Sequence, residues 1–174
     1  TPRRVMTLSR KGIARVHAGT GFVLAIDLAG RLYTFGRNKK GQLGTGTKED
    51  ARRVPFLHSE LFSFFIIAAA GGDCHSLVLT SGGIVFGAGS NAHGQLGLGD
   101  VTEPAVMTQI VLPCRCIGIA AGPLGSLFAL ADGSLYACGS NDCQQLGFRS
   151  EARLVTSPEL VPSVKGVASY VTSL

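Results

Sequence analysis

The side chains of this chain best suited to chemistry are cations, thiols and imidazoles, and each group suggests a different reaction or contact. Of its sixteen Lys and Arg, twelve fall within residues 1–53, with only Asp27, Glu49 and Asp50 as acids there; residues 54–174 hold four basic and eight acidic residues. Arg3, Arg4, Arg10, Lys11 and Arg15 come first, then Arg37, Lys39 and Lys40, then Arg52 and Arg53. Clustered cations gain affinity for phosphates by releasing condensed counterions, so these ten are the candidate contacts to RNA, DNA or another anionic surface. The plainer reading is a solvated surface that is basic at one end.

The remaining chemistry is thinner. Cys114 and Cys116, or Cys138 and Cys143, with His75 or His93, bring zinc to mind, but zinc sites pair their cysteines at matched, close spacings. Neither pair does so; buried thiols acting as small apolar groups fit better, and no metal is expected. The five cysteines form no regular disulfide framework. Gly41–Lys48 touches on a phosphate-binding loop, but with Lys and Thr in reversed order and no helical pattern after it. His17, His58, His75 and His93 stand without a nucleophile-elbow or zinc-protease motif. No catalytic residue and no cofactor are expected.

The elements that must hold these residues are short strands. Hydrophobic residues make up 45% and charged ones 16%, which argues against disorder, and 24 glycines separate the apolar runs. The longest apolar stretch, 62–70, is too short to span a bilayer, so no membrane contact is expected. Gly36-Arg37-Asn38-Lys39-Lys40-Gly41-Gln42-Leu43-Gly44 returns 53 residues later as Gly89-Ser90-Asn91-Ala92-His93-Gly94-Gln95-Leu96-Gly97. After 50 more it returns as Gly139-Ser140-Asn141-Asp142-Cys143-Gln144-Gln145-Leu146-Gly147. Upstream of each copy, two glycines lie 11 residues apart (Gly19 and Gly30, Gly72 and Gly83, Gly122 and Gly133), with an apolar run after each.

Each copy therefore reads as an apolar run, a glycine turn, a second and a third run, and then Pro55, Pro104 or Pro158 on the way into an outer strand, where the missing N–H is tolerated. Four short antiparallel strands in about 50 residues make one propeller blade. The expected fold is all-β, a partial β-propeller. A basic arm (1–12) precedes blades at 13–60, 65–112 and 116–162, and 163–174 begins a fourth repeat. Leu43, Leu96 and Leu146 are the loop side chains suited to plugging gaps between blades. The same loop three times in one chain points to architecture rather than to three active sites.

The pattern Gly-x-x-His-Ser-Leu-x-Leu, followed by Gly-x-Val/Leu-Tyr/Phe and Gly-x-Asn-x-x-Gly-Gln-Leu-Gly, resembles the regulator of chromosome condensation repeats over residues 13 to about 162. The resemblance implies blades of a seven-bladed propeller. The family's histidine is present as His75, where it implies a structural hydrogen bond within the blade; Phe22 and Gly125 replace it elsewhere. Gln144 replaces a turn glycine, and Phe35, Ala88 and Cys138 stand where the family has a strand tryptophan. With no tryptophan, the family's ultraviolet-sensing role is excluded.

Three copies make about half such a ring, so the chain is expected to be a piece of something longer or to have its edges covered by other protein subunits. The function expected is a non-catalytic binding or scaffold module in a larger assembly, meeting RNA, DNA or another anionic surface through its basic first blade. The alternatives are a guanine-nucleotide exchange factor for a small GTPase, as the resemblance implies, or a propeller that contacts proteins alone. The odd cysteine count favours an intracellular, reducing compartment.

Overall fold

Runs rich in Val, Ile, Leu, Phe and Ala, cut at short intervals by glycine, have the length and composition of buried strands rather than helices. The computed structural model describes residues 5–147 and 152–162 and places these runs in three four-stranded antiparallel sheets. The first holds β1 (Ile13–Gly19), β2 (Phe22–Asp27), β3 (Leu32–Arg37) and β4 (Ala51–Leu57). The second holds β5 (Ile66–Gly71), β6 (His75–Thr80), β7 (Val85–Gly89) and β8 (Thr108–Ile110), and the third β9 (Cys116–Ala121), β10 (Gly125–Leu130), β11 (Leu135–Ser140) and β12 (Leu154–Leu160). Strand order follows chain order in all three, so each sheet is a meander. Pro55 and Pro158 lie inside the outer strands β4 and β12; Pro104 lies in the loop ahead of β8. The arm is represented by a single 3-10 turn (Met6–Leu8) that packs beside β4. The expected start of a fourth repeat, 163–174, lies outside the described residues.

Register decides which face of a sheet is core. On the first sheet Ile26 pairs Leu32 and Leu24 pairs Thr34, so these four share one face, while Ala25, Tyr33 and Leu57 share the other. The first face closes against the second sheet: Leu24, Ile26 and Leu32 pack with Ile66, Val78 and Phe86. One junction further on, Leu77, Leu79 and Val85 pack with Cys116, Phe128 and Cys138. Each large side chain fully withdrawn from water at these junctions contributes about 1.5–3 kcal/mol. The junctions between sheets, rather than the interior of any one sheet, are thus the core.

Every sheet has two ends. One carries the β2–β3 turn and its counterparts, together with the residues leading into the first strand. The other carries the long β3–β4 loop and its counterparts. A seven-residue strand such as β1 separates the two ends by about 20 Å.

Candidate functional site

The repeated loop is the most strongly built feature of the chain, and its polar side chains are used up internally. Asn38 Oδ1 accepts from Leu43 N at 3.0 Å, Asn91 Oδ1 from Leu96 N at 2.9 Å, and Asn141 Oδ1 from Leu146 N at 3.2 Å. Gln42 Oε1 accepts from Lys40 N, Gln95 Oε1 from His93 N, and Gln145 Oε1 from Cys143 N, at 2.9–3.0 Å. Asn38 and Asn91 also donate to Thr47 O and Asp100 O, each at 2.9 Å, pinning the far side of the loop. Leu43, Leu96 and Leu146 are buried beneath these struts, as their placement among glycines led one to expect.

The same loop fastens one sheet to the next. Ser76 Oγ donates to Gln42 O at 2.7 Å and Ser126 Oγ to Gln95 O at 2.6 Å, both across a junction. His75, expected to bond within its own blade, instead has Nε2 3.1 Å from Ser126 Oγ on the third sheet. Because the Ser126 proton goes to Gln95 O, the imidazole donates from Nε2. The reason for the correction is register: His75 opens β6 beside Gly72, and its ring projects past that glycine toward Gly122 O of the neighbouring sheet. Burial holds its pKa down at about 4, so it is neutral near pH 7. His17, on β1, is half-buried with Nε2 unpaired among the described residues.

The described cations of the candidate set do not gather on one surface. Arg10 and Lys11 lie at the end of β1 that pairs with the close of β2, whereas Arg37, Lys39, Lys40, Arg52 and Arg53 lie at the opposite end. Arg15 faces β5, where its guanidinium donates to Ile67 O. Arg3 and Arg4 lie outside the described residues. In the loop group, Lys39 pairs with Asp50 at 3.4 Å, and Arg52 pairs with Glu49 at 3.2 Å while stacking over Phe56. Lys40 and Lys48 both hold Glu103 of the second sheet, at 3.1 and 3.5 Å, and Ser90 donates to the same carboxylate. Arg37 and Arg53 are exposed and have no ion pair among the described residues. Sequence spacing located the cations but not Glu103, whose role depends on two blades meeting.

Two polar clusters escaped the sequence reading. Asp27, buried at the end of β2, accepts from Ala29 N, Arg31 N, Arg31 Nε and Tyr33 OH, and the Arg31 bonds outweigh its burial and hold its carboxyl below the usual range. His58 has Nδ1 2.5 Å from Glu60 Oε1 and Nε2 2.9 Å from Thr34 Oγ1, which in turn stands 3.0 Å from Leu43 O. A carboxylate, an imidazole and a hydroxyl in line have the form of a nucleophile relay, yet Thr34 and His58 are wholly withdrawn from water and the hydroxyl is tied to the loop. The corresponding residues of the other sheets are Gly87 with Ile110 and Ala137 with Val161, so this line is a polar packing variant inside one blade. Its signal in the sequence was a lone His where the other copies carry an aliphatic residue. Cys116 and Cys138 are likewise core, their thiols pushed up by burial to about 11 and about 12.

Family models of the regulator of chromosome condensation repeat match residues 29–79, and in a second form 66–95 and 116–145. The chain belongs to that family. It is 32% identical over 163 residues to the human probable E3 ubiquitin-protein ligase HERC4, covering 92% of this chain and 15% of that protein. It is 36% identical over 166 residues to mouse protein RCC2, covering 92% of this chain and 31% of that one. Among solved structures, Prp20p from Saccharomyces cerevisiae superposes with a TM-score of 0.77 at 20% identity, over 86% of this chain and 38% of that one. Human WBSCR16 gives the same TM-score at 22% identity and the same shares. These likenesses give the fold, and the three sheets are blades of a propeller of this repeat family. The chain spans about a third or less of the curated relatives it matches.

Proposed function

We propose that this chain is a non-catalytic recognition segment of a larger propeller, which meets another protein through the tips of its three Asn-Gln loops. The observation that supports this is a fixed frame with varied tips. Asn, Gln and Leu do the same structural work in each loop, while the two residues between Asn and the turn change from Lys39-Lys40 to Ala92-His93 to Asp142-Cys143. Positions whose side chains the loop frame itself does not use, set in a row at one end of rigid blades, are where recognition is carried at least structural cost. The charge runs from positive on the first blade to negative on the third, which suits an oriented protein surface better than a uniform polyanion.

Prp20p is described by its binding to Gsp1p and histones; both a GTPase-like and a basic or nucleic-acid-associated partner are therefore reasonable classes to test for this chain. Nucleic acid remains a second reading, favoured by Arg37 and Arg53, the two loop-end cations without ion pairs among the described residues. Photo-crosslinkers placed at Lys39, His93 and Asp142 of the complete protein, with one at Ser134 of the opposite end, test the proposal. Protein crosslinks from the three tips and none from Ser134 are expected. Crosslinks to nucleic acid alone would replace the proposal with the second reading, and crosslinks from Ser134 alone would overturn both.

A further inference from the structure

At the end of the sheets opposite those loops, three large apolar side chains stand in water. Leu28 in the β2–β3 turn is 76% exposed, and Phe62 and Phe65, between β4 and β5, are 55% and 49% exposed. All three lie at this end of the first junction, Leu28 leaning over Gly12 at the start of the first blade. The Phe65 ring lies directly on the turn glycine Gly30, two residues from Leu28, and Phe62 closes the 3-10 turn Ser59–Leu61 just ahead of Phe65. Isolated exposed apolar residues are ordinary, but several at one end of one junction are a mark of an interaction surface.

The fold does not require these residues. At the second junction the position of Phe65 is taken by Arg115, whose stem covers Gly83 in the same way while its guanidinium donates to Ser81 O at 3.0 Å. The position of Leu28 is taken by Ser81 and then by Ala131. Phe62 belongs to a connection of eight residues where the next blade uses five, so the turn that carries it is an addition. Apolar surface has been placed at this junction beyond what joining two blades needs.

The surroundings give the partner its charge. Arg10, Lys11, Arg31 and Arg115 are exposed at this end of the first two blades. Asp27 is buried and paired with Arg31, which leaves Arg10, Lys11 and Arg115 as the described cations of this end without an ion pair; Glu60, half-exposed and bonded to His58, is the one described carboxylate of the first two blades still facing water there. A rim of cations around an apolar centre complements a segment with apolar residues on one side and carboxylates on the other. The described cations are spread around the centre and do not form the dense polybasic run that attracts an anionic bilayer.

We propose that Leu28, Phe62 and Phe65 dock a short acidic amphipathic segment of another protein, with its carboxylates set against Arg10, Lys11 and Arg115. This rests on the reading of the chain as a protein-recognition segment and gives it a second surface, about one strand length from the loop tips. The test is fluorescence anisotropy of the complete protein with a labelled synthetic helix bearing Leu and Phe on one face and Glu on the other. The same helix with Lys for Glu, and vesicles of phosphatidylcholine with phosphatidylserine, serve as comparisons.

The acidic helix is expected to bind, the basic one not, and added salt to weaken the complex. Leu28→Ser with Phe62→Ser, the first of which copies the serine already present at 81, should keep the fold and weaken binding roughly tenfold or more, as loss of buried apolar area predicts. Lys39→Glu with Lys40→Glu should leave it unchanged. Absence of binding, equal binding of both helices, insensitivity to the serine pair, or capture by vesicles but not by the acidic helix would overturn the proposal. None of those results bears on the crosslinks from the loop tips, so the two readings fail separately.

Discussion

Lowering the pH from 7 to 4.5 should cost this chain about 2–3 kcal/mol of stability through His75 alone. The imidazole joins two blades as a neutral donor, with a folded pKa of about 4 against 6.5 for the free side chain. The unfolded chain therefore takes up a proton that the folded chain refuses, and stability falls wherever the unfolded state binds more protons. The contribution is fully present above pH 6.5, is lost progressively between there and pH 4, and levels off below at a total of about 3–4 kcal/mol. Urea unfolding of the wild type and of His75→Phe, at intervals from pH 7.5 to 4.5, isolates this effect. Phenylalanine occupies the equivalent place at Phe22 and does not titrate, so the variant should be less sensitive to acid by the stated amount. His17 and His58, both lowered mainly by burial, titrate alike in the two proteins and cancel in the difference. Parallel curves for the two proteins would refute the reasoning, because they would mean that the buried ring accepts a proton as readily as an exposed one.

Leu96→Ala should destabilise by about 2–5 kcal/mol in the same assay, since the side chain is wholly buried at the second junction; a loss below about 1 kcal/mol would show that the loop is not core. Asn91→Ala removes an acceptor from Leu96 N and a donor to Asp100 O, and should cost about 1–3 kcal/mol of unfolding free energy. Gln144→Gly should add about 0.5–1 kcal/mol of stability, read as a higher denaturation midpoint, because Gln144 sits at φ +56° where its counterparts are glycines. Glu103→Gln should change stability by less than about 1 kcal/mol despite meeting two lysines, as partly exposed pairs do; a larger loss would make that latch a major tie between the first two blades.

The architecture is legible in the sequence because it is written three times. Any one apolar run of six residues is ambiguous between strand and buried helix, but three runs at matched distances from the same glycines are not. The buried leucines are legible for the same reason. What joins one blade to the next is not. Ser76 and Ser126 look like ordinary strand residues, and nothing in a linear sequence says that their hydroxyls reach carbonyls 34 and 31 residues earlier. His75 reads as structural, but its partner does not follow from its position, because a strand residue's direction across a junction depends on how two sheets face. The basic residues show the opposite limit: they are close in sequence, yet the three antiparallel strands between Lys11 and Arg37 carry them to opposite ends.

The third blade shows how much of the motif serves the junction rather than the loop. A Cβ on Gly41 would lie 2.8 Å from Ala105 Cα, and one on Gly94 would lie 2.7 Å from Val155 O, so in both cases the next blade leaves no room. Gln144 carries that Cβ. At the other repeated contact, the rings of Phe22 and His75 fill the space beside Gly19 and Gly72 and approach the following blade, whereas Gly125 supplies no ring beside Gly122. The two substitutions face the same side of the same sheet, one adding bulk at the loop and the other removing it near the start of β10. Matter packed against this face cannot repeat the geometry of the first two junctions: it must stand back by at least a methylene at Gln144 and supply its own side chain beside Gly125. Both departures thus bear on one surface, the outer face of the third blade.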